Sequence, residues 1–259
     1  MAAVKAFTKR APITGTPWKG VRYGCTTREG GVSQGPWASF NLATHVGDEP
    51  EAVAENRRLL ATALPSAPVW LNQVHGTRVV EVSAASHHGP VPEADAAVTT
   101  TPEVVLAIMT ADCIPVVLAD VDGRALGVAH AGWRGLAAGV LEQTLDALRR
   151  LCPESHAWRA WVGPCIGQAN FEVGGEVRQA FAATDARAGD FFLPGRASGK
   201  WHADLSGLAR HRLACAGVEI IQVAELCTYE CDKLFHSYRR NRVCGRMATL
   251  AWLDPSEQG

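Results

Sequence analysis

The sequence lacks an excess of charge of either sign and lacks any long apolar run. Its 259 residues carry 25 Lys and Arg against 26 Asp and Glu, a formal net charge of −1. No apolar stretch approaches the roughly 18 residues of a membrane span, and none follows the early positive charges as in a signal peptide. We therefore expect no nucleic-acid or membrane partner and a cytoplasmic location, and nothing in the sequence indicates an obligate protein partner.

Cysteine pairs in the C-x₂-C pattern are absent as well, although the chain has eight cysteines. With no secretion signal expected, an even cysteine count in a chain of this length does not indicate a disulfide framework. We expect free thiols that serve as ligands, nucleophiles or core side chains. No internal repeat divides the chain, so we expect one domain over residues 1–259, with residues 1–20 as a loosely ordered N-terminal segment.

Short apolar runs rich in β-branched residues predict the strands of a sheet. These runs are residues 69–74, 79–82, 104–109, 114–119, 125–129, 158–162, 218–223 and 247–252. Capping and periodicity signals predict helices over residues 48–63, 135–150 and 204–215. The expected fold is an α/β layered single domain.

Three side chains that bind transition metals follow predicted strands. They are His75, Cys113 and His130. Two imidazoles and one thiolate leave a fourth position for water, which is typical of catalytic rather than structural zinc. The sequence leaves two alternatives open, since the three residues could be unconnected, or Cys113 could be a nucleophile paired with a histidine that Asp112 orients.

Arg134 stands between the third of these residues and the predicted helix over residues 135–150. A strand, a short glycine-bearing turn and a helix together point free backbone N–H groups at an anion, and an arginine there can bind phosphate or carboxylate. The alternative is an arginine that only covers the ring of Trp133.

The C-terminal quarter offers a second arrangement of metal-ligating residues. Its members are Cys227, Cys231, His236 and Cys244. Their spacing is within the range of structural zinc sites, but the intervening aromatic and aliphatic residues are typical of packing. The tract from residue 235 to residue 240 instead favours a strand or turn that offers Ser237, Tyr238 and Arg239 to a polar ligand.

Several motifs in a fixed order resemble those of the bacterial YfiH/YlmD family. They include Asn72-Gln-Val-His75-Gly, Ala94-Asp-Ala96, Thr110-Ala-Asp-Cys113-Ile-Pro115, Ala129-His-Ala-Gly-Trp-Arg-Gly135, Val162-Gly-Pro-Cys-Ile-Gly167 and Ser237-Tyr-Arg-Arg240. The resemblance extends over nearly the full length. It implies a YfiH-like fold with a mixed sheet flanked by helices. It also implies that His75, Cys113 and His130 bind the metal, with Zn²⁺ as the cofactor.

The activities that this resemblance implies are phosphorolysis of adenosine, inosine, guanosine and methylthioadenosine, together with adenosine deamination. The expected partners are therefore a nucleoside and phosphate. We expect Arg28, Asn41, Gln73 and Arg239 to contact base, ribose or phosphate. Arg28 and Asn41 belong to a glycine-rich stretch over residues 26–42 that is either a ligand-facing loop or a hairpin tip. His236 departs from the family, which usually has an aromatic residue there.

Two other functions stay open at this stage. Members of the family are also described as polyphenol oxidases or laccases, but multicopper oxidation needs many histidines, and none of the nine here forms a His-x-His pair. Copper bound in vitro at the same three ligands could still oxidise phenols. Family members have also been linked to editing of peptidoglycan precursors, in which the site would recognise a UDP-linked or peptide substrate.

Overall fold

The computed structural model describes residues 11–257, which form three sheets and five α-helices. The strands are β1 (Val21–Cys25), β2 (Val79–Glu81), β3 (Ala96–Thr99), β4 (Leu106–Thr110), β5 (Ile114–Asp120), β6 (Leu126–Ala131), β7 (Trp158–Val162), β8 (Glu172–Gly174), β9 (Phe192–Pro194), β10 (Lys200–Ala203), β11 (Ile220–Val223) and β12 (Met247–Leu253). The α-helices are α1 (Pro50–Ala61), α2 (Trp133–Ala138), α3 (Val140–Leu151), α4 (Gly175–Ala182) and α5 (Leu205–Cys215).

The largest sheet has six strands in the order β11-β7-β5-β6-β3-β2. Its outer pairs, β11 with β7 and β2 with β3, are parallel, whereas the inner pairs are antiparallel. The mixed sheet that the family resemblance implies is therefore confirmed. A second sheet, β1-β12-β4, is antiparallel throughout, and a third small sheet joins β8, β10 and β9.

The six-stranded sheet is buried on both faces, which explains why its strands do not alternate apolar with polar residues. In β5, Val116 and Leu118 pack into a cluster with helices α3, α4 and α5. Val117 and Ala119 point the other way and pack against the β1-β12-β4 sheet. Helix α1 covers the far face of that second sheet. The domain is thus layered as helices, sheet, sheet and helix.

The helix predicted over residues 135–150 is two helices in the structure. Gly139 adopts a left-handed conformation with φ of 98° and separates α2 from α3. Only glycine takes this conformation without strain. The apolar periodicity that predicted the helix is confirmed for α3, since Leu141, Leu145 and Leu148 are buried against the large sheet.

The strand predicted over residues 69–74 is wrong. Val69 and Asn72 make isolated bridges to different partners, Leu106 and Glu93, so no continuous ladder forms. The chain then bends, and the N–H groups of residues 74–76 donate to the carboxylate of Asp95. Strand β3 was not predicted, although it lies inside the six-stranded sheet and is completely buried.

The N-terminal segment expected to be loosely ordered is packed over residues 11–20. Ile13 pairs with Cys25, and the ring of Trp18 is buried against Tyr23. This part is ordered because it buries apolar surface against β1, and residues 1–10 lie outside the described residues. Over residues 11–257, the structure has no helix of the length and apolarity needed to cross a bilayer.

Candidate metal centre and its cavity

His75, Cys113 and His130 come together, as the family resemblance implied. Their ligating atoms all lie within 4.8 Å of one another. The Cys113 Sγ and the His75 Nε2 are 3.7 Å apart, and the two imidazole rings meet edge to face with centroids separated by 4.8 Å. His130 is buried at the end of β6, whereas His75 is exposed. The cluster therefore has a buried side and a side that opens to solvent.

Asp95, just before β3, holds two of the three ligands in place. Its carboxylate accepts hydrogen bonds from the backbone N–H groups of Val74, His75 and Gly76 at 3.1, 2.9 and 2.7 Å. The same carboxylate accepts the Nδ1–H of His130 at 2.8 Å, which directs the Nε2 of that ring toward Cys113. Such a hydrogen bond selects the tautomer and orientation of a ligating histidine.

Gly132 keeps open the space between the ligands. A Cβ atom at this position would lie 2.5 Å from the Cδ2 of His75 and 3.2 Å from the Cys113 Sγ. At Gly135 a Cβ would lie 2.7 Å from the carbonyl oxygen of Gly76. The two glycines thus let helix α2 pack closely against the turn that carries His75, and the space left fits a small ion.

The thiol and imidazole of the cluster favour each other's charged forms. Burial alone would raise the pKa of Cys113, but the neighbouring His130 and His75 lower that pKa to about 6. Burial would lower the pKa of His130, yet the Cys113 thiolate and Asp95 raise it. Hydrogen bonds from His130 and Gly76 likewise outweigh burial and lower the pKa of Asp95. A thiolate is the form that binds a metal, so the donor set fits Zn²⁺.

Asp112 does not orient an imidazole, contrary to one of the alternatives for Cys113. It has a left-handed backbone with φ of 92°. It accepts hydrogen bonds from the Thr228 hydroxyl, the Ser237 hydroxyl and the Arg239 N–H at 2.7, 3.0 and 2.7 Å. It therefore ties the loop that carries Cys113 to the segment over residues 237–239.

A cavity of about 150 Å³ lies beside the ligands, with aromatic and basic side chains around it. Arg134 lines it and stacks on Trp133, with the guanidinium carbon 4.4 Å from the ring centroid. Arg239 lies 5.2 Å from the ring centroid of Phe171, and its Nη1 donates to the carbonyl of Glu172 at 2.9 Å. Helix α2, at six residues, is too short to contribute a substantial dipole.

The other residues expected to touch substrate are hydrogen-bonded within the protein. The Gln73 amide bonds both the N–H and the carbonyl of Met109. Asn41 is completely buried and bonded to backbone groups and to Asp48. Arg28 donates to the carbonyls of Ala38 and Asp232 and lines a separate cavity. The structure therefore brings Arg134, Tyr238 and Arg239 to the metal-side cavity, and Arg28, Asn41 and Gln73 are not among its lining residues.

The four C-terminal residues with zinc-like spacing do not meet in residues 11–257. The Cys227 Sγ accepts the N–H of Gly167 at 3.1 Å, and the Cys244 Sγ accepts from Arg246 at 3.4 Å. Cys231 packs against the apolar cluster between the two larger sheets. His236 is completely buried, and neither ring nitrogen has a hydrogen-bond partner within the described part of the chain.

Comparison with known proteins decides the family. Residues 22–254 match the family model described as multi-copper polyphenol oxidoreductase laccase. The chain belongs to this family. The purine nucleoside phosphorylase YfiH of Escherichia coli K12 is 48% identical over 237 residues, which cover 91% of this chain and 95% of that relative.

Solved structures of this laccase-like family have the same fold. The Neisseria meningitidis protein NMB0706 is 46% identical, with a TM-score of 0.84 and coverage of 91% of this chain and 95% of that one. YlmD from Geobacillus stearothermophilus is 31% identical, with a TM-score of 0.83 and coverage of 93% and 94%. The resemblance to YfiH and YlmD and the layered α/β fold are thus confirmed.

Sequence reasoning assigned no role to Asp95. The only signal was its place in the motif Ala94-Asp-Ala96, since a single aspartate before an apolar stretch has no spacing that links it to His75 or His130. The link exists because β3 pairs with β6, which places Asp95 beside His130.

Proposed function

We propose that this protein is a zinc-dependent purine nucleoside phosphorylase that cleaves adenosine, inosine, guanosine and methylthioadenosine, and that it also deaminates adenosine. One observation carries the proposal: the His75, Cys113 and His130 cluster lies beside a cavity whose walls include Arg134 and Arg239. The name purine nucleoside phosphorylase on relatives that are nearly half identical supports the same reaction class.

Arg134 and Arg239 supply fixed positive charge where phosphate must approach the ribose. In phosphorolysis a phosphate oxygen bonds to C1′, the bond from C1′ to the purine nitrogen breaks, and the leaving purine takes up a proton. A guanidinium binds phosphate through two parallel N–H groups and so positions the nucleophile. The stacking of Arg134 on Trp133 favours an orientation of its guanidinium along the cavity wall. Tyr238 lines the same cavity with a partly exposed aromatic side chain that the purine can contact.

His75, Cys113 and His130 would hold the metal, with Asp95 fixing the orientation of His130. When bound, zinc would supply a Lewis acid and a water of lowered pKa, which is the chemistry that deamination requires. Arg28, Asn41 and Gln73 then serve as supports, because their hydrogen bonds hold the surrounding loops. Substrate contact by these three stays a prediction.

The experiment is a set of matched assays on zinc-loaded and copper-loaded protein. We expect the zinc form to consume inosine only when phosphate is present, to deaminate adenosine without phosphate, and to leave a phenolic dye unchanged. Arg134→Ala should raise the KM for phosphate and spare deamination, whereas Arg150→Ala, at an exposed position on α3, should change neither. Equal loss of both activities in Arg134→Ala would assign that residue to nucleoside binding or cavity shape.

A copper-dependent polyphenol oxidase is the second candidate, favoured by the description of the family model. Zinc has no redox chemistry, so sustained dye oxidation with several coppers per chain and no nucleoside cleavage would overturn the phosphorylase proposal. A UDP-muramoyl-amino acid belongs in the same assay. Its consumption in place of nucleosides would favour editing of cell-wall precursors.

A further inference from the structure

A second group of metal-ligating side chains lies away from the cavity, on helix α5 and the segment before it. His211 and Cys215 are one helical turn apart on α5, so their side chains share a face. Asp185 precedes the 3₁₀ turn over Ala186–Phe191 and reaches the same place. The ligating atoms of the three residues all lie within 4.8 Å of one another.

The geometry excludes a catalytic relay of the Cys-His-Asp type. In such a relay the nucleophile and the carboxylate bond opposite nitrogens of the imidazole. Here the carboxylate Oδ2 of Asp185 lies 2.5 Å from the Nε2 of His211, and the Sγ of Cys215 lies 3.7 Å from that same nitrogen. Thiol, imidazole and carboxylate therefore converge on one point, as the ligands of a cation do.

The distances suit a tetrahedral zinc ion after a small adjustment. Bonds of about 2.3 Å to sulfur and about 2.0 Å to nitrogen and oxygen place the sulfur and nitrogen about 3.5 Å apart, and the nitrogen and oxygen about 3.3 Å apart. The observed 3.7 Å already matches the first separation. Asp185 would have to move back by about 0.8 Å, and its side chain is 29% exposed, which leaves room for that movement.

A cationic group already contacts the cluster. The Nη2 of Arg187 donates to the Cys215 Sγ at 3.5 Å, and its Nε lies 3.5 Å from the Oδ1 of Asp185. The Arg187 side chain is 71% exposed, so it can leave at little cost. The His211 ring is held against Phe191, with ring centroids 5.4 Å apart. The imidazole is thus preorganised, and the arginine that would compete with a metal is exposed at the surface.

We propose that Asp185, His211 and Cys215 form a second zinc site, distinct from the His75, Cys113 and His130 cluster. Thiolate and imidazole ligands select zinc over magnesium or calcium, and the fourth position would be open to solvent because Cys215 is exposed. Binding would displace the Cys215 thiol proton into solvent. The ion would tie the C-terminal end of α5 to the segment before β9.

The experiment counts zinc ions per chain after equilibration with zinc in a non-thiol reductant. We expect two for the wild type, one for Cys215→Ser and one for His211→Ala. Cys231→Ser, which changes a partly exposed cysteine outside both clusters, should keep two. Arg187→Ala should keep two and bind the second about tenfold more tightly, since the competing cation is gone. Two ions retained in Cys215→Ser would overturn the proposal.

A cobalt titration separates this site from the first. In the Cys113→Ala/His130→Ala variant, bound Co²⁺ should still show a thiolate-to-cobalt absorption band, and the additional change Cys215→Ser should remove it. No band in the double variant would overturn the second site, even if the wild type shows one from Cys113. A band that survives Cys215→Ser would also overturn it, because the thiolate would then belong to another cysteine.

Discussion

Two completely or almost completely buried histidines, His130 and His236, have opposite surroundings. His130 is bonded to Asp95 and lies beside the Cys113 thiol, and these partners raise its pKa. His236 has no partner for either ring nitrogen among residues 11–257, and burial together with Arg28, Arg246 and Arg240 lowers its pKa to about 3. Burial by itself favours a neutral imidazole, so the neighbouring charges decide whether a buried histidine binds a cation or repels one.

The charges around these two histidines also distinguish the two zinc-like patterns that the sequence contains. The Asp95 carboxylate supports the His75, Cys113 and His130 pattern, and among residues 11–257 no guanidinium is bonded to its ligating atoms. The C-terminal pattern places His236 among arginines and Cys244 against Arg246. A cation beside His236 would meet repulsion from these guanidinium groups. Spacing alone does not distinguish these two cases.

The largest effect on zinc affinity is expected when the Cys113 thiolate beside His130 is removed. Cys113→Ala removes one of three ligands and should weaken zinc binding at this cluster by more than about 100-fold. Removing a ligand costs more affinity than removing a residue that only hydrogen-bonds a ligand, which costs about 10–100-fold. Competition with a zinc-sensitive dye measures this. Cys231→Ala is the control and should leave the affinity unchanged. In a Cys215→Ser background, which lacks the proposed second site, equal zinc affinity with and without Cys113→Ala would place this metal elsewhere.

A smaller effect is expected where His130 keeps its neighbours but loses its charged partner. Asp95→Asn keeps the shape but removes the carboxylate that accepts from His130, and zinc affinity should fall by about 10–100-fold. Asp120→Asn is the matched control, since Asp120 is equally buried but bonded to Arg124. If both variants lose zinc alike, the effect comes from general destabilisation and Asp95 has no specific role.

For His236, the prediction concerns stability against pH. Its folded pKa is below its unfolded value, so the unfolded chain binds a proton first as pH falls below about 6.5, and stability is lost in that range. Between pH 7 and pH 5 this histidine should lower the free energy of unfolding by about 2 kcal/mol. His236→Phe should lack that loss, which denaturant titrations at both pH values would reveal. An unchanged pH dependence would mean that His236 finds a partner in solution.

The smallest effect on stability is expected at the His211 cluster. His211 lies beside the Asp185 carboxylate and the Cys215 thiol, as His130 lies beside Asp95 and Cys113, but it is closer to solvent. In metal-free protein, Cys215→Ser should change the free energy of unfolding by no more than about 0.5 kcal/mol, because Cys215 is exposed and packs little surface. Thermal or denaturant unfolding in the presence of a chelator measures it. A loss of several kcal/mol would show that Cys215 supports the fold itself.

Much of the fold followed from local pattern. The leucine face of α3, the unalternated strand β5 and the Asp204 cap of α5 were all predictable, because each depends on residues close together in the chain. The strand wrongly predicted over residues 69–74 and the missed β3 show the limit. Whether a segment forms a strand depends on which distant segment accepts its backbone hydrogen bonds. Apolar composition does not distinguish a segment that pairs, such as β3, from one that does not, such as residues 69–74.

The sequence by itself determined the family, since the types and order of its motifs identify it, and through that resemblance it indicated His75, Cys113 and His130 as one candidate ligand set. Only the tertiary structure decided what each polar side chain does. The pairing of β3 with β6 places Asp95 where it hydrogen-bonds His130, while the side chains of Gln73 and Asn41 hydrogen-bond backbone groups. The physical reason is that a hydrogen bond or an ion pair depends on distance in space, which residue type and spacing along the chain do not specify.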